Sequence, residues 1–339
     1  MKDDGRRLPV DDRYLLPILS PTSAGTHYWD PPPPGKINER QRARVLLQIH
    51  QLIDLLASFG VDLEGKRLCD IGTGNGMVPR LMLEYSGIAE AVGADPFLDG
   101  EHKTSWQPHD HDEALQDLKR FFRERMGGRF DLAAYRELLG HENFTLRPGD
   151  VPVAPQTSKR YRFAQVGAHD MQNLGEKFDL FYCKAIEHIP DWPGAFASMT
   201  EAAMPGAVVY FKHRPFFSYL GPHRYASTNI PWGHALLSDA EFRRFAEEHH
   251  RHRAKPMIEF FFKGLAYPRY SVSDMLRIGR DHGWAVVGLV IEPPRYLAKV
   301  QPFIDEVEGF WDIQRSLYPN VGCEELFSGI YHIVLRRAS

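Results

Sequence analysis

The sequence is poor in cysteine, in long apolar runs and in net charge of either sign. Its three cysteines, at positions 69, 183 and 323 of 339 residues, are widely spaced and odd in number, which argues against a disulfide framework. No apolar run approaches the roughly 20 residues of a membrane helix, and the start, MKDDGRRLPV, lacks the apolar stretch of a signal peptide. We therefore expect a cytoplasmic protein with no membrane partner.

The formal net charge of −3 shows no basic excess of the kind that proteins use to bind nucleic acid. A basic channel with interleaved aromatic residues, which single strands require, is not visible either, so we do not expect a nucleic-acid partner. Three histidines, His102, His109 and His111, alternate in a polar run. Because no convincing remote ligand set accompanies them, we expect no metal.

The chain divides into an N-terminal segment and a larger α/β domain. Residues 1–60 contain the prolines 31–34 and then an apolar stripe of helical spacing that stops at Gly60. We interpret them as a lid segment and an amphipathic helix, which would cover either the sheet or a second subunit of a homodimer. Residues 61–339 would form the main domain, with long inserts at about 97–160 and 215–270 that we interpret as a substrate cap.

Seven short apolar segments follow Lys66, most of them separated by helical or inserted segments. This pattern predicts a doubly wound, seven-stranded, mainly parallel sheet, in which ligands bind outside the carboxyl ends of the strands. A third long connection separates the last two segments. The predicted strands are KRLCDIG, AEAVGADP, YRFAQVGA, FDLFYCKA, GAVVYFKH, WAVVGLVIE and GIYHIVLRR.

The stretch LCDIGTGNG places three glycines at alternate positions directly after an acid. This spacing departs from the G-x-G-x-x-G dinucleotide loop, and no Gly-Lys-Ser/Thr follows, so the ligand is not expected to be held by its phosphates. Asp70 beside the loop suits a cationic group, and Asp95 at the end of the next strand suits a ribose diol. S-adenosylmethionine carries both an ammonium group and a ribose.

LCDIGTGNG, GADP and FDLFYCKAIEHIPDW resemble the motifs of class I S-adenosylmethionine-dependent methyltransferases. The resemblance implies a Rossmann-like sheet whose last strand runs antiparallel, and S-adenosylmethionine as the cofactor. It implies that Asp70, Gly72, Gly74 and Gly76 contact the methionine part and that Asp95 contacts the ribose. It places His169, Asp170 and Met171 at the adenine, and Cys183 and Lys184 near the methyl group. Lys184 departs from the family, because a cation is unusual beside a sulfonium; it either faces outward or binds an anionic substrate.

The acceptor site is expected in KHRPFFSYLGPHRYASTNIPWGH, which is rich in histidine, arginine and aromatic residues. An oxygen or nitrogen acceptor must lose a proton, so the catalytic candidates are His213, His223 and Tyr219; a thioether acceptor needs no base. Arginine and histidine suit a carboxylate, and aromatic rings tolerate a sulfonium. The candidates for substrate binding are Tyr28, Trp29, Trp106, Tyr161, Arg214, Arg224, Tyr225, Trp232 and His234.

The long inserts and the N-terminal segment suggest a lid over a small-molecule methyl acceptor. The chain as a whole also resembles the bacterial methylthiohydroxybutyrate S-methyltransferases of dimethylsulfoniopropionate synthesis. That resemblance implies in-line methylation of the thioether in 4-methylthio-2-hydroxybutyrate, without an obligatory base. The alternatives are an O- or N-methyltransferase of a natural product that uses a histidine base, and a non-catalytic S-adenosylmethionine-binding protein.

Overall fold

A computed structural model gives the fold, which consists of a seven-stranded sheet with helices on both faces. The strands are β1 (Arg67–Ile71), β2 (Glu90–Ala94), β3 (Arg160–Ala164), β4 (Phe178–Cys183), β5 (Ala203–His213), β6 (Trp284–Ile291) and β7 (Tyr331–Arg337). The model describes residues 2–9, 39–74, 76–96, 160–222, 228, 230–251, 254–294 and 296–338, and the single positions 116 and 120.

Eleven α-helices are assigned within the described residues, and several short 3-10 or π turns accompany them. In chain order they are α1 (Glu39–Ser58), α2 (Met77–Tyr85), α3 (Trp192–Ala202), α4 (Gly233–Leu236), α5 (Asp239–Phe245), α6 (Ala254–Glu259), α7 (Val272–Asp281), α8 (Leu297–Val300), α9 (Pro302–Glu306), α10 (Phe310–Leu317) and α11 (Cys323–Leu326).

The strand order across the sheet is β3-β2-β1-β4-β5-β7-β6. The first five strands are parallel, whereas β7 runs antiparallel between β5 and β6. All seven predicted strands are therefore confirmed, as is the antiparallel last strand. The order reverses between β1 and β4, and a crevice at such a switch point is where open α/β sheets bind ligands.

Alternate residues of the central strands enter two separate cores, because successive side chains of a strand point to opposite faces. Leu68 of β1 packs with α1 and α2 on one face. Cys69, the next residue, packs with α3 and α7 on the other. The central strands are covered on both faces, which explains why they read as continuous apolar runs.

Helix α1 covers the sheet with the apolar stripe predicted from the sequence. Leu46, Ile49, Leu52 and Leu56 are fully buried in the core that contains Leu68. Burying each such side chain contributes about 1.5–3 kcal/mol relative to leaving it exposed. Of the two expected partners for this stripe, it is therefore the sheet that covers it, and the predicted homodimer would need another surface.

A third core lies beyond the carboxyl end of β5. It joins the predicted insert at 215–270 to the third long connection, and residue Leu8 packs against it. Lys2 is buried there and pairs with the Glu241 carboxylate at 2.6 Å. These three segments form one helical cap. The other predicted cap insert, at about 97–160, lies almost entirely outside the described residues.

Two serine capping boxes fix where helices of the cap side begin. Ser238 accepts a hydrogen bond from the backbone N–H of Glu241 and starts α5, as its SDAE sequence predicts. Ser271 starts α7 in the same way through Asp274. None of the helices in the described ranges is both long and apolar enough to cross a membrane.

Candidate active site

The acid at the end of β1 is buried and is held by the glycine loop. The Asp70 Oδ2 atom accepts a hydrogen bond of 2.7 Å from the Thr73 hydroxyl. Burial raises the pKa of Asp70 to about 7; the Thr73 hydrogen bond lowers it, the Asp95 carboxylate raises it and Lys184 lowers it. A cationic ligand group beside this carboxyl would stabilise its ionised form, so the site suits an ammonium.

The acid at the end of β2 lies against the same loop. The backbone N–H of Gly74 donates a hydrogen bond of 2.9 Å to Asp95 Oδ2, and Asp95 is buried. The N–H of Gly72 bonds to the carbonyl of Ala94 at 2.8 Å, which lays the loop across the end of β2. Asp70, which the resemblance assigns to the methionine part of the cofactor, and Asp95, which it assigns to the ribose, therefore both lie against the glycine loop.

Two loop glycines have left-handed backbones for different reasons. Gly72 has φ +69°, and a Cβ there would lie 2.5 Å from Ala185 Cβ, so the loop touches the segment after β4. Gly74 has φ +57°, and no heavy atom of the described residues lies within 4 Å of an ideal Cβ. The loop is packed at Gly72 and open at Gly74, which leaves room for a ligand beside its backbone.

The residues at the end of β4 face different ways. Cys183 is buried in the core, and burial raises the pKa of its thiol. Lys184 is exposed and donates a 3.1 Å hydrogen bond to Gln48 on α1, whose amide donates to the Tyr182 hydroxyl at 2.6 Å. Of the two alternatives for Lys184, this placement matches an outward-facing side chain.

The residues after β3 are divided between core and surface. His169 Nε2 lies 2.9 Å from the carbonyl oxygen of Asp191, and Asp170 is exposed at the start of a short 3-10 helix. Met171 is fully buried, and its backbone N–H donates to the Ser198 hydroxyl at 2.7 Å. The adenine contacts of these three residues stay predictions. Of the three, the exposed Asp170 has the most suitable placement for such a contact.

A pocket lies outside the carboxyl ends of β4 and β5. Its enclosed part is about 10 Å³, room for about one water molecule, whereas the 250 Å³ around it includes open solvent, so a metabolite would also occupy the solvent-facing mouth. The side chains that define its character are Glu187, Trp192, His213, Phe216, Arg269 and Tyr270.

Two polar side chains of the pocket have atoms with no hydrogen-bond partner among the described residues. His213, the last residue of β5, is 1 % exposed, and neither ring nitrogen is paired. Burial lowers its pKa to about 3, so the imidazole is neutral at physiological pH. Glu187 has a buried, unpaired Oε2, and burial raises the pKa of its carboxyl.

Aromatic rings form one wall of the pocket. Trp192 stacks on Tyr270 with centroids 4.7 Å apart and lies edge-on to the His213 ring at 5.7 Å. The indole N–H of Trp192 donates to the carbonyl of Ile186 at 2.9 Å, which fixes the ring. Such electron-rich faces stabilise a nearby cation.

The guanidinium of Arg269 also lines the pocket. Arg269 lies over the Phe216 and Phe261 rings, 4.4 Å from each centroid. It donates hydrogen bonds of 2.6 Å to the carbonyls of Ala266 and Phe261. Burial lowers its pKa to about 10, so it remains charged.

Several predicted acceptor residues lie inside the cap core instead of the pocket lining. Tyr219 and Trp232 are buried there, and the Trp232 indole donates to the carbonyl of Leu326 at 2.9 Å. His234 is buried with Nε2 2.5 Å from the carbonyl oxygen of Phe216. Their roles in substrate binding or catalysis stay predictions that this burial does not favour.

Tyr161 lies on β3 beneath the glycine loop, where a Cβ on Gly76 would overlap its hydroxyl. It therefore shapes the loop, and its substrate contact stays a prediction. Arg214 is partly exposed next to His213. The remaining predicted acceptor residues lie outside the described residues: Tyr28, Trp29, Trp106, His223, Arg224 and Tyr225.

Sequence reasoning missed part of the pocket. Trp192 belongs to the quoted FDLFYCKAIEHIPDW stretch, but nothing in its spacing marks it as a wall of a site. Arg269 and Tyr270 lie about eighty residues after β4, beyond an insert, so no local motif joins them to that strand. His188, adjacent to Glu187, joins the segment after β4 to the segment that contains Arg269, because its Nδ1 lies 2.5 Å from the carbonyl oxygen of Gly264.

A family profile described as methyltransferase domain matches residues 39–288. The chain belongs to this family. The methyltransferase has the seven-stranded class I sheet predicted above, and its loop, Asp70 and Asp95 fit S-adenosylmethionine, because a buried acid and an open glycine backbone suit an ammonium-bearing nucleoside. It is an S-adenosylmethionine-dependent enzyme.

Solved structures similar to the methyltransferase are distant in sequence. The cyclopropane synthase MmaA2 from Mycobacterium tuberculosis has 14% identity and a TM-score of 0.43, covering 97% of this chain and 95% of its own. The magnesium protoporphyrin IX methyltransferase ChlM from Synechocystis PCC 6803, with bound SAH, has 13% identity, a TM-score of 0.40 and 89% coverage of both chains. A search of curated proteins finds no match.

Proposed function

We propose that the enzyme methylates a small metabolite bound in the pocket at the ends of β4 and β5. The observation that carries this proposal is the contact between the two loops. Gly72 of the glycine loop packs against Ala185, and Glu187, two residues later, lines the pocket. Donor and acceptor would thus bind on either side of one short segment at the switch point of the sheet.

The donor would be held by residues that the chain already arranges for it. When bound, S-adenosylmethionine supplies an electrophilic methyl group on a sulfonium. We assign its ammonium to the surroundings of Asp70, its backbone contacts to Gly72, Gly74 and Gly76, and its ribose to Asp95. The adenine would meet His169, Asp170 and Met171. Cys183 and Lys184 would flank the reacting end through their backbone, because the Cys183 thiol is buried in the core and the Lys184 side chain faces outward.

The favoured acceptor chemistry is S-methylation of a thioether hydroxy acid, 4-methylthio-2-hydroxybutyrate. A thioether loses no proton on methylation, so the chain's tasks are to align the acceptor and to exclude water. The low pKa of His213 makes it a weak base, which suits chemistry that needs none. The stacked Trp192 and Tyr270 rings would tolerate the sulfonium product.

The second candidate is an O- or N-methyltransferase of a natural product. The observation in its favour is that His213 lines the pocket with both ring nitrogens unpaired among the described residues. A neutral imidazole in that state can accept a proton from a hydroxyl or amine that is held beside it.

A panel of thioether, hydroxyl and amine metabolites, assayed for S-adenosylhomocysteine and for the methylated product, tests the proposal. The His213→Asn variant then separates the chemistries. We expect kcat with a thioether to fall by less than tenfold and to show no solvent isotope effect, because no proton is transferred. A loss of 100-fold or more, with such an effect, would instead support the histidine base.

The pH profile identifies a different base. Because the pKa of His213 is about 3, its loss of a proton cannot produce a rise in activity near pH 6 to 7. A steep rise there would point to another histidine as the base, such as His223, the second histidine among the catalytic candidates. Calorimetry with Asp95→Ala tests the donor site independently: undiminished affinity for S-adenosylmethionine would remove the ribose assignment.

A further inference from the structure

The pocket's polar groups are all able to donate hydrogen bonds, and their charges do not balance. Arg269 is cationic, and no carboxylate of the described residues forms a salt bridge with it. Asp239, whose charge raises the pKa of Arg269, accepts a 2.9 Å hydrogen bond from the Tyr267 hydroxyl. A cation partly removed from water without a paired anion is unfavourable, so the site lacks one negative charge.

His213 supplies a second donor. Its ring is neutral, so one nitrogen carries a proton and the other accepts. Neither nitrogen has a partner within the described part of the chain, although the side chain is 1 % exposed. An unpaired buried ring nitrogen is unfavourable, and a ligand acceptor that bonds to it would remove that cost.

Glu187 supplies a third donor when its carboxyl is protonated. Burial is the main cause of its raised pKa, and the neighbouring His188, a backbone hydrogen bond, Arg214 and Lys184 act in the opposite direction. Its buried Oε2 has no partner among the described residues. In the protonated form the carboxyl donates to an anion, whereas in the ionised form it would repel one.

We propose that the pocket binds the carboxylate of a monoanionic methyl acceptor, with Arg269, His213 and Glu187 as its donors. This inference rests on the proposed function, because it names the acceptor class of the same site. A carboxylate has about four acceptor positions, and three donor side chains together with one positive charge match a single such group. The aromatic wall of Trp192 and Tyr270 would then face the apolar, methyl-accepting end.

Arg269 is consequently the specificity-determining residue of the pocket. Two of its five N–H groups are used by backbone carbonyls, and stacking over Phe216 holds the guanidinium plane in place. Three N–H groups therefore remain for other partners. An amide or ester of the same acceptor would bring no charge to this cation and would bind more weakly.

The test compares carboxylates with their neutral amides on the full chain loaded with S-adenosylhomocysteine. Probes are the ω-methylthio carboxylates of two to six carbons and the matching amides, and calorimetry measures each Kd. We expect at least one carboxylate to bind ten to one hundred times more tightly than its amide. Equal affinities, tighter amides, or no binding by any carboxylate would overturn the inference.

Matched variants at Glu187 separate a donor from an anion. Glu187→Gln keeps an N–H donor and should retain the preference within about threefold, whereas Glu187→Met should lose roughly tenfold in carboxylate affinity. If Glu187→Gln strengthens carboxylate binding tenfold, Glu187 is ionised and the donor assignment is wrong. Arg269→Met should abolish the preference; should it fail to fold, the two Glu187 variants still decide.

The outcomes also distinguish this inference from the methyl-transfer proposal. Methylation of neutral or cationic acceptors only, detected as S-adenosylhomocysteine formation, would leave the enzyme's function intact and overturn the carboxylate site. Selective carboxylate binding without any methyl transfer would support the carboxylate site and overturn the proposed methyl transfer.

Discussion

Replacing Gly74 with alanine tests whether the glycine loop binds the methyl donor. At φ +57° an alanine costs about 1–2 kcal/mol of stability, since L residues disfavour the left-handed region. The new Cβ meets no heavy atom of the described residues within 4 Å, so no steric cost is added to the free protein. The methyl group would occupy the space left for the donor, and we expect affinity for S-adenosylhomocysteine to fall at least tenfold, about 1.4 kcal/mol.

Gly60→Ala is the matched control, because Gly60 has φ +70° and equally open surroundings but follows the C-terminal end of α1, before β1 begins, whereas the loop follows the carboxyl end of β1. Thermal unfolding should show similar losses for both variants, a few degrees at most. Calorimetry with S-adenosylhomocysteine should show a loss for Gly74→Ala alone. Unchanged affinity in Gly74→Ala, or an equal loss in Gly60→Ala, would refute the assignment of the loop as a donor site.

Three further predictions concern stability. Burial raises the pKa of Glu325 to about 8, so the folded state holds a proton that the unfolded state releases above about pH 4.5. The free energy of unfolding should therefore fall by on the order of 1 kcal/mol per pH unit from pH 5 to 8. Urea titrations of Glu325→Gln, which keeps an acceptor for the Val272 N–H, should show a flatter dependence on pH. Lys2→Met should destabilise the cap by about 3 kcal/mol at neutral pH by unpairing the Glu241 carboxylate. Burial raises the pKa of that carboxyl, but the hydrogen bonds from Lys2 and from two backbone N–H groups lower it by more, so the contribution should be complete above about pH 4.5 and be lost as the pH falls through the lowered pKa. Urea titrations at successively lower pH that show no decrease in the loss would contradict it. Trp232→Ala should lower the free energy of unfolding by about 3–5 kcal/mol, measured by thermal or urea unfolding. The milder Trp232→Phe should leave the KM for the acceptor within about threefold. A large rise in KM in Trp232→Phe would support Trp232 as a substrate contact.

The elements of the sheet were predictable because their residues obey local rules. The strands are buried on both faces and read as apolar runs, and the stripe of α1 follows helical spacing. Asp70 and Asp95 came together as predicted, since adjacent parallel strands end at the same edge. The helix-like stretch KVQPFIDEVEGFWDIQRSL of the third long connection forms short helices instead of one, because Pro302 begins α9 and Gly309 precedes α10 with φ +67°.

The acceptor pocket could not be read in the same way. Trp232 and Arg269 both belong to aromatic, basic stretches, yet the first fills a core and the second lines the pocket. Whether such a residue fills a core or lines the pocket depends on packing between segments that are far apart in the chain. Composition gives only the number of such side chains and not their surroundings.

The position of β7 has a consequence for biosynthesis. This strand follows the other described elements along the chain, yet it lies between β5 and β6 and supplies the ladder bonds of both. Until it leaves the ribosome, β6 has no neighbour in the sheet, and the nascent chain exposes two unpaired edges to chaperones and proteases. Premature termination before Tyr331 would thus cut β6 away from the rest of the sheet.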